Sequence, residues 1–336
     1  MRCCRRRSAM ASRGVPWVKL SRSSRGWWKG QVVIAAGLLL LVAGYWYALS
    51  VTRNLHKRSA SGCHDLPAGF LVLKFSLVVW IGIASVSLVQ MTLQIIGIDC
   101  STDPRGMGFA RGHLVGGNCQ LETAAPGTNH AANVRLVAQW LEDGIPSLIC
   151  VDAPLGWPVP LGPNLAAHTA GAPVPTVPNQ LFRRETDREV KRRLNKQSLD
   201  VGADRIARTA HAALGFLDQV QTASGVKLPM AWSPALPLAA AGVIEVYPAA
   251  TLIAHCFTAS GYKKREQVAE RQGILGQLAT VLGMPEDVAP MLASADALDA
   301  AVCVLAGFDF MAGACQSPVD TELARKEGWI WVRTPG

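Results

Sequence analysis

The chain has no C-x-x-C pair among its nine cysteines. Zinc ribbons and thiol-exchange sites need that spacing, so neither class fits. Cys150 and Cys303 lie in apolar runs, where cysteine behaves as a small hydrophobe, and the body reads as reduced and cytoplasmic with no zinc site. No internal repeat is visible, which excludes a solenoid or a propeller. Acids are almost missing from the first ninety residues, where Asp65 stands alone against 13 Lys/Arg. Positive charge is short in the rest: residues 91–336 hold 20 Lys/Arg and 23 Asp/Glu, a net of −3, although the whole chain carries +9. The total therefore misleads. The body has no general basic field, and any nucleic-acid contact there has to come from a local patch.

The first ninety residues support two readings. Gln31 to Val51 carries no charge and as a helix would run about 31 Å, the depth of a bilayer core. Trp27, Trp28 and Tyr45-Trp46-Tyr47 flank or end it as interfacial aromatics would. A second apolar run, 69–89, is broken only by Lys74. Two transmembrane helices, 31–51 and 69–89, would keep the Arg-rich start (Arg5, Arg6, Arg7) in the cytoplasm and return the body there, anchored to the inner membrane. In the second reading residues 1–90 are an extension upstream of Met91 and the protein is soluble and cytoplasmic. Only about three residues separate the second apolar run from a strand, too few to cross the headgroup zone comfortably.

From 91 to 336 the chain is long enough for one large domain. Leu93–Ile98 is a short apolar strand, Met107–Val115 a second and Cys119–Thr123 a weaker third. Asn129–Asp143 has helical spacing in Ala132, Leu136, Val137, Trp140 and Leu141. Gly144-Ile145-Pro146 ends it, and 147–151 is a continuous apolar strand of the buried type. This β-β-β-α-β order predicts a hairpin meander feeding a crossover to a parallel strand, hence an α/β fold. An insertion spans about 153–241. It opens with seven prolines in 153–181, which read as a long irregular loop. The charged stretch 182–193 and residues 203–220 have helical composition. A strand at 242–247, helices at about 263–283 and 295–310, and a closing strand at 327–332 complete the domain.

Chemistry concentrates in acids that lie far apart in the chain. Asp99 closes the first apolar strand and Asp152 the fourth. Glu245 sits inside Val243–Tyr247, and Asp296 and Asp299 are three apart on one helix face. Carboxylates at neighbouring strand ends, with another on a helix beside them, can converge on divalent cations; without a cation they repel. Structural roles compete at each: a turn-forming Asp99, a loop-anchoring Asp152, a cap at Asp296. Glu245, flanked by apolar residues, needs either a metal or an arginine such as Arg183. Arg183, Arg184, Arg188 and their neighbours to Lys196 form the body's best phosphate-contact patch, or else a solvated helix laced with ion pairs. His113 and His211 are weak candidates for proton shuttling. Trp157 and Trp232 are candidates for base stacking, with packing the plainer role.

Six ordered motifs resemble one family: Ile96-Gly97-Ile98-Asp99, Val151-Asp152-Ala153-Pro154-Leu155-Gly156-Trp157-Pro158, Phe182-Arg183-Arg184 with Thr186-Asp187-Arg188, Asp200 to Arg205, Ile244-Glu245-Val246-Tyr247-Pro248-Ala249 and Asp296 to Val302. It is domain-of-unknown-function family 429, described as predicted nucleases of the RNase H-like fold, and the likeness covers 91–336. The resemblance implies an RNase H-like mixed sheet with flanking helices. It implies a metal site of Asp99, Asp152 and Asp299, with Asp296 or Glu245 as fourth member and Asp99 bridging two Mg²⁺ or Mn²⁺ ions. It implies metal-dependent phosphodiester hydrolysis on a nucleic acid, and it favours Arg183 and Arg184 as phosphate contacts.

Two other functions remain open at this point. Asp99-Cys100-Ser101-Thr102 with Arg105 faintly resembles the phosphate hairpin of an actin-like ATPase or phosphotransferase. Cys100 stands where such a loop needs glycine for backbone approach to phosphate. The third possibility is a membrane-tethered binding protein without catalysis.

Overall fold

The computed structural model describes residues 92–202, 204–235 and 241–334. The two expected membrane spans lie outside these residues; among the described residues no helix is long and apolar enough to cross a membrane. Five strands form one mixed sheet: β1 (Leu93–Asp99), β2 (Gly108–Val115), β3 (Asn118–Pro126), β4 (Ser147–Asp152) and β5 (Ala241–Glu245). Their order across the sheet is β3-β2-β1-β4-β5. β1 and β2 pair antiparallel, as do β2 and β3, whereas β4 runs parallel to β1 and β5 parallel to β4. The meander and crossover expected from the sequence are present. β3 is longer than the apolar pattern suggested, because its exposed alternate residues hid half of it.

The helices are α1 (His130–Glu142), α2 (Leu161–Ala166), α3 (Pro178–Leu181), α4 (Glu185–Leu194), α5 (Asp204–Ser224), α6 (Pro248–Ala254), α7 (Val268–Leu278), α8 (Ala289–Ala293), α9 (Ala295–Met311) and α10 (Thr321–Glu327). Start signals are local. Asn129 accepts the amide of Ala132 at the head of α1, Ser294 accepts those of Asp296 and Ala297 at the head of α9, and Pro248 opens α6 where a missing N–H costs nothing. The proline-rich stretch is irregular apart from α2 and α3. Instead of a closing strand, residues 327–332 contain the end of α10 and a single bridge between Ile330 and Glu245. Gly328, at φ +84°, breaks the run where a regular strand would have to begin.

Alternation divides β1 between two cores. Ile96 and Ile98 pack with Val134, Val137, Ala213 and Phe216 under α1 and α5. Leu93 and Ile95 face the other way, into a core shared with α7 and the buried, almost wholly apolar α9. The sheet thus lies between two helical layers. α9 packs unusually close: a Cβ at Gly97 or at Gly108 would collide with the backbone oxygen of Ala300 or of Asp296. Those two glycines let the first turns of α9 rest on the sheet, which brings its acids to the strand ends.

Candidate active site

Asp99 and Asp152 are direct neighbours in register on parallel strands. Each ends its strand, and each has the parity of the residues that face α9: Ile95 and Gly97 on β1, Leu148 and Cys150 on β4. Ligands of open α/β sheets gather beyond such carboxyl ends. Both side chains are partly buried. Burial, then Asp152, hold the Asp99 carboxyl well above the usual range, while Lys263 draws it back and Asp296 adds to the rise. Burial likewise raises Asp152 to about 7, with Lys263 opposing and Glu245 reinforcing. Each acid makes the other harder to ionise, which a positive charge would relieve.

α9 supplies the rest of the cluster. Asp299 is fully buried. Its Oδ1 accepts the hydroxyl of Tyr262 at 2.7 Å, and its Oδ2 is ion-paired with the ammonium of Lys263. Asp296, one turn earlier, is half-buried, and burial raises its carboxyl too, with Lys263 and the Ser294 hydroxyl opposing. Lys263 acts on Asp99, Asp152 and Asp296 and touches Asp299, so one ammonium serves four carboxylates. Sequence reasoning passed over Lys263 and Tyr262. The helix expected over about 263–283 is confined to Val268–Leu278, so Tyr262 and Lys263 lie in the loop before it, and only folding brings that loop to α9.

Glu245 belongs to a different set of contacts. It ends β5 rather than lying inside it, and its parity is that of Val243, opposite to Ile244, so it leaves the sheet on the other side from Asp99 and Asp152. Both its oxygens meet the guanidinium of Arg184, at 2.7 and 2.8 Å, and one accepts the Leu155 amide at 3.0 Å. Of the two partners the sequence leaves open for Glu245, a metal or an arginine such as Arg183, the structure supplies an arginine, and it is Arg184. Arg183 bonds Asp200 at 2.7 Å instead. Arg184 also forks onto Asp187 and reaches the Glu327 carbonyl, and it is only 1% exposed. It is therefore an internal strut and not a phosphate contact. Glu327 extends the clamp by accepting the amides of Val159 and Glu185 at 2.8 and 2.7 Å. Gly156 and Gly328 leave room for it.

The remaining basic patch is mostly paired within itself. Arg188 bonds Glu185 and Arg192 bonds Glu189, both three residues apart on α4. This is the solvated, laced helix of the plainer reading. His113 lies towards the far end of β2 beside Glu122, and His211 lines a cavity with Cys100, Ser101 and His130; neither joins the acids. Trp232 packs under Arg325. A cleft of about 250 Å³ is lined by Asp152 together with Arg184, Asp187 and Glu245, and by Cys100 and Tyr247, so the Arg184–Glu245 pair borders the same opening as Asp152.

Among the described residues no three His, Cys, Asp or Glu side chains stand close enough to hold an ion as a group. The donors that do meet, Asp99 and Asp152, are hard carboxylate oxygens of the kind that Mg²⁺ and Mn²⁺ prefer. Their mutual repulsion is the condition that a divalent cation removes, so the donor chemistry fits such an ion.

The fold and site define an α/β protein with a mixed five-stranded sheet, a helix on the sheet's face, and an acidic pair at the carboxyl ends of its central strands. The chain belongs to the family described as "Protein of unknown function (DUF429)", which it matches over residues 97–323. No curated protein matches it. Among solved structures it is similar to T. thermophilus RuvC in complex with a Holliday junction substrate, at 13% identity and a TM-score of 0.32, over 66% of this chain and 96% of that one.

Proposed function

We propose that the protein is a divalent-metal-dependent nuclease of RNase H-like architecture, cleaving phosphodiester bonds in a nucleic acid. The observation that carries this reading is the in-register pairing of Asp99 with Asp152 at the ends of adjacent parallel strands. Asp296 and Asp299 on α9 back the same edge. Asp99 and Asp152 would hold the metal, with Asp296 as the more accessible of the helical carboxylates. Bound there, Mg²⁺ or Mn²⁺ supplies Lewis-acid activation of water and neutralises the leaving oxygen. Glu245 is assigned a positioning role, because Arg184 uses both its oxygens. Arg183 and Arg188, partly exposed, remain the patch's candidates for phosphate contact.

The test is an assay of the full chain with Mg²⁺ or Mn²⁺ on single- and double-stranded DNA, RNA and hybrids, with ATP in parallel. Asp99→Asn and Asp152→Asn are each expected to lose at least about tenfold, or 1.4 kcal/mol of barrier. Smaller losses, or hydrolysis of ATP without any cleavage of nucleic acid, would overturn the proposal.

A further inference from the structure

The connection between α6 and α7, residues 255–267, carries three consecutive exposed cations, Lys263, Lys264 and Arg265, against one acid, Glu266. Lys263 lays its ammonium on Asp299, and it lies near enough to Asp99, Asp152 and Asp296 to draw each of their carboxyls down. Lys264 and Arg265 form no ion pair among the described residues, unlike Arg188 and Arg192 of α4. The backbone beneath these cations is fixed from inside. Arg271, only 1% exposed, donates to the carbonyls of Tyr262 and Lys264 at 2.7 Å and of Arg265 at 3.0 Å. Its Nε donates to the Leu292 carbonyl at 2.7 Å, which ties the loop to α8. Gln267 closes the turn from the other end: its side-chain oxygen accepts the Lys264 amide at 2.9 Å, and its own amide donates to the Lys264 carbonyl at 3.0 Å. Tyr262, also buried, anchors the same loop by donating its hydroxyl to Asp299 at 2.7 Å. Burying a guanidinium is costly unless its donors are satisfied, and here the acceptors are the backbone from which three exposed cations project.

We infer that residues 263–265 form a contact surface for the phosphodiester backbone of a nucleic acid, holding it beside the strand ends that carry Asp99 and Asp152. The inference rests on the nuclease reading above for the class of partner and adds the surface that grips it; it needs no metal. Lys264 and Arg265 take the phosphates, while Lys263 is shared with Asp299. Positive charge is short in the rest of 91–336, so a polyanion has to be met by a local cluster, and this one is exposed and held by a rigid base. A backbone already fixed in the free protein loses little freedom when a ligand arrives. Contacts to phosphate carry no sequence information, so binding here is indifferent to sequence and weakens as salt rises.

The experiment measures, by fluorescence anisotropy over a range of salt and with EDTA present, the binding of labelled single-stranded and duplex oligonucleotides to the full-length chain. The wild type is compared with Lys264→Ala, Arg265→Ala, Lys264→Arg and Lys227→Ala, the last removing an exposed lysine from the connection after α5. Lys264→Ala and Arg265→Ala are each expected to lower the salt slope by about 0.7 on single strands and about 0.9 on duplex. Lys264→Arg should keep the wild-type slope, and so should Lys227→Ala. Unchanged slopes in both loop variants, or an equal loss in Lys227→Ala, would refute the surface, and cleavage by the same wild-type protein would leave the nuclease reading standing. Weakened binding in the loop variants, with no cleavage by the wild type once Mg²⁺ or Mn²⁺ is added, would support the surface and refute the nuclease reading. A wild type that binds phosphatidylserine vesicles but no oligonucleotide, or neither, would refute the nucleic-acid surface.

Discussion

At Asp152 charge and folding stability are linked. Its carboxyl is raised from an ordinary 3.8 to about 7, with burial the largest cause. A raised acid binds its proton more tightly in the folded state, so stability is fullest below the unfolded value and falls as pH rises through the window between the two. Each pH unit of that window costs at most about 1.4 kcal/mol, less where Lys263 shares the charge. The metal-free protein should therefore melt at a lower temperature at pH 8 than at pH 5, and Asp152→Asn should flatten the slope. A melting temperature that rises over the same interval would contradict the burial and repulsion assigned to this side chain. Arg184 makes the opposite point. Its position in a charged motif suggests a surface contact, whereas its partners Glu245 and Asp187 make it a buried cross-link. Composition cannot separate those roles, because both require the same guanidinium.

Among the elements, α9 decides the site. Its apolar sequence shows that it is buried but not which strands it covers. Gly97 and Gly108 settle that, since only a strand without side chains at those points allows helix backbone to touch sheet backbone. Gly97→Ala is expected to lower stability by about 1–3 kcal/mol, because helix backbone cannot move aside as a side chain would. Urea denaturation reads the loss, and an unchanged midpoint would mean that α9 has room to shift. On the metal-site proposal, Mn²⁺ affinity should fall in the same variant, since displacing α9 moves Asp296 away from Asp99.

At the scale of the whole molecule, the Arg184 clamp joins α4 and the proline-rich segment before it to the edge of the sheet. Arg184→Ala would leave Glu245 and Asp187 buried without their cation, at a cost of about 3–5 kcal/mol. Arg184→Lys should rescue little, because one ammonium cannot fork onto two carboxylates. Limited proteolysis is expected to cut within 153–202 in both variants well before it cuts the wild type. Equal cleavage rates would show that residues 153–202 are held by something other than this network. Much of the fold was legible beforehand, because strand and helix periods are local: β1, α1, β4 and α9 lie within a residue or two of their apolar patterns. α10 and the short helices α2 and α3 were not, being too brief to leave a period. For the site, sequence alone determined that Asp99 and Asp152 end apolar strands, since an apolar run stopping at an acid is written in consecutive letters. Only the tertiary structure decided that these two are in register, that Glu245 leaves the sheet on the other side, and that Lys263 reaches the acids. Those are distances between segments 36 to 90 or more residues apart, set by strand register and helix packing, and no local pattern encodes them.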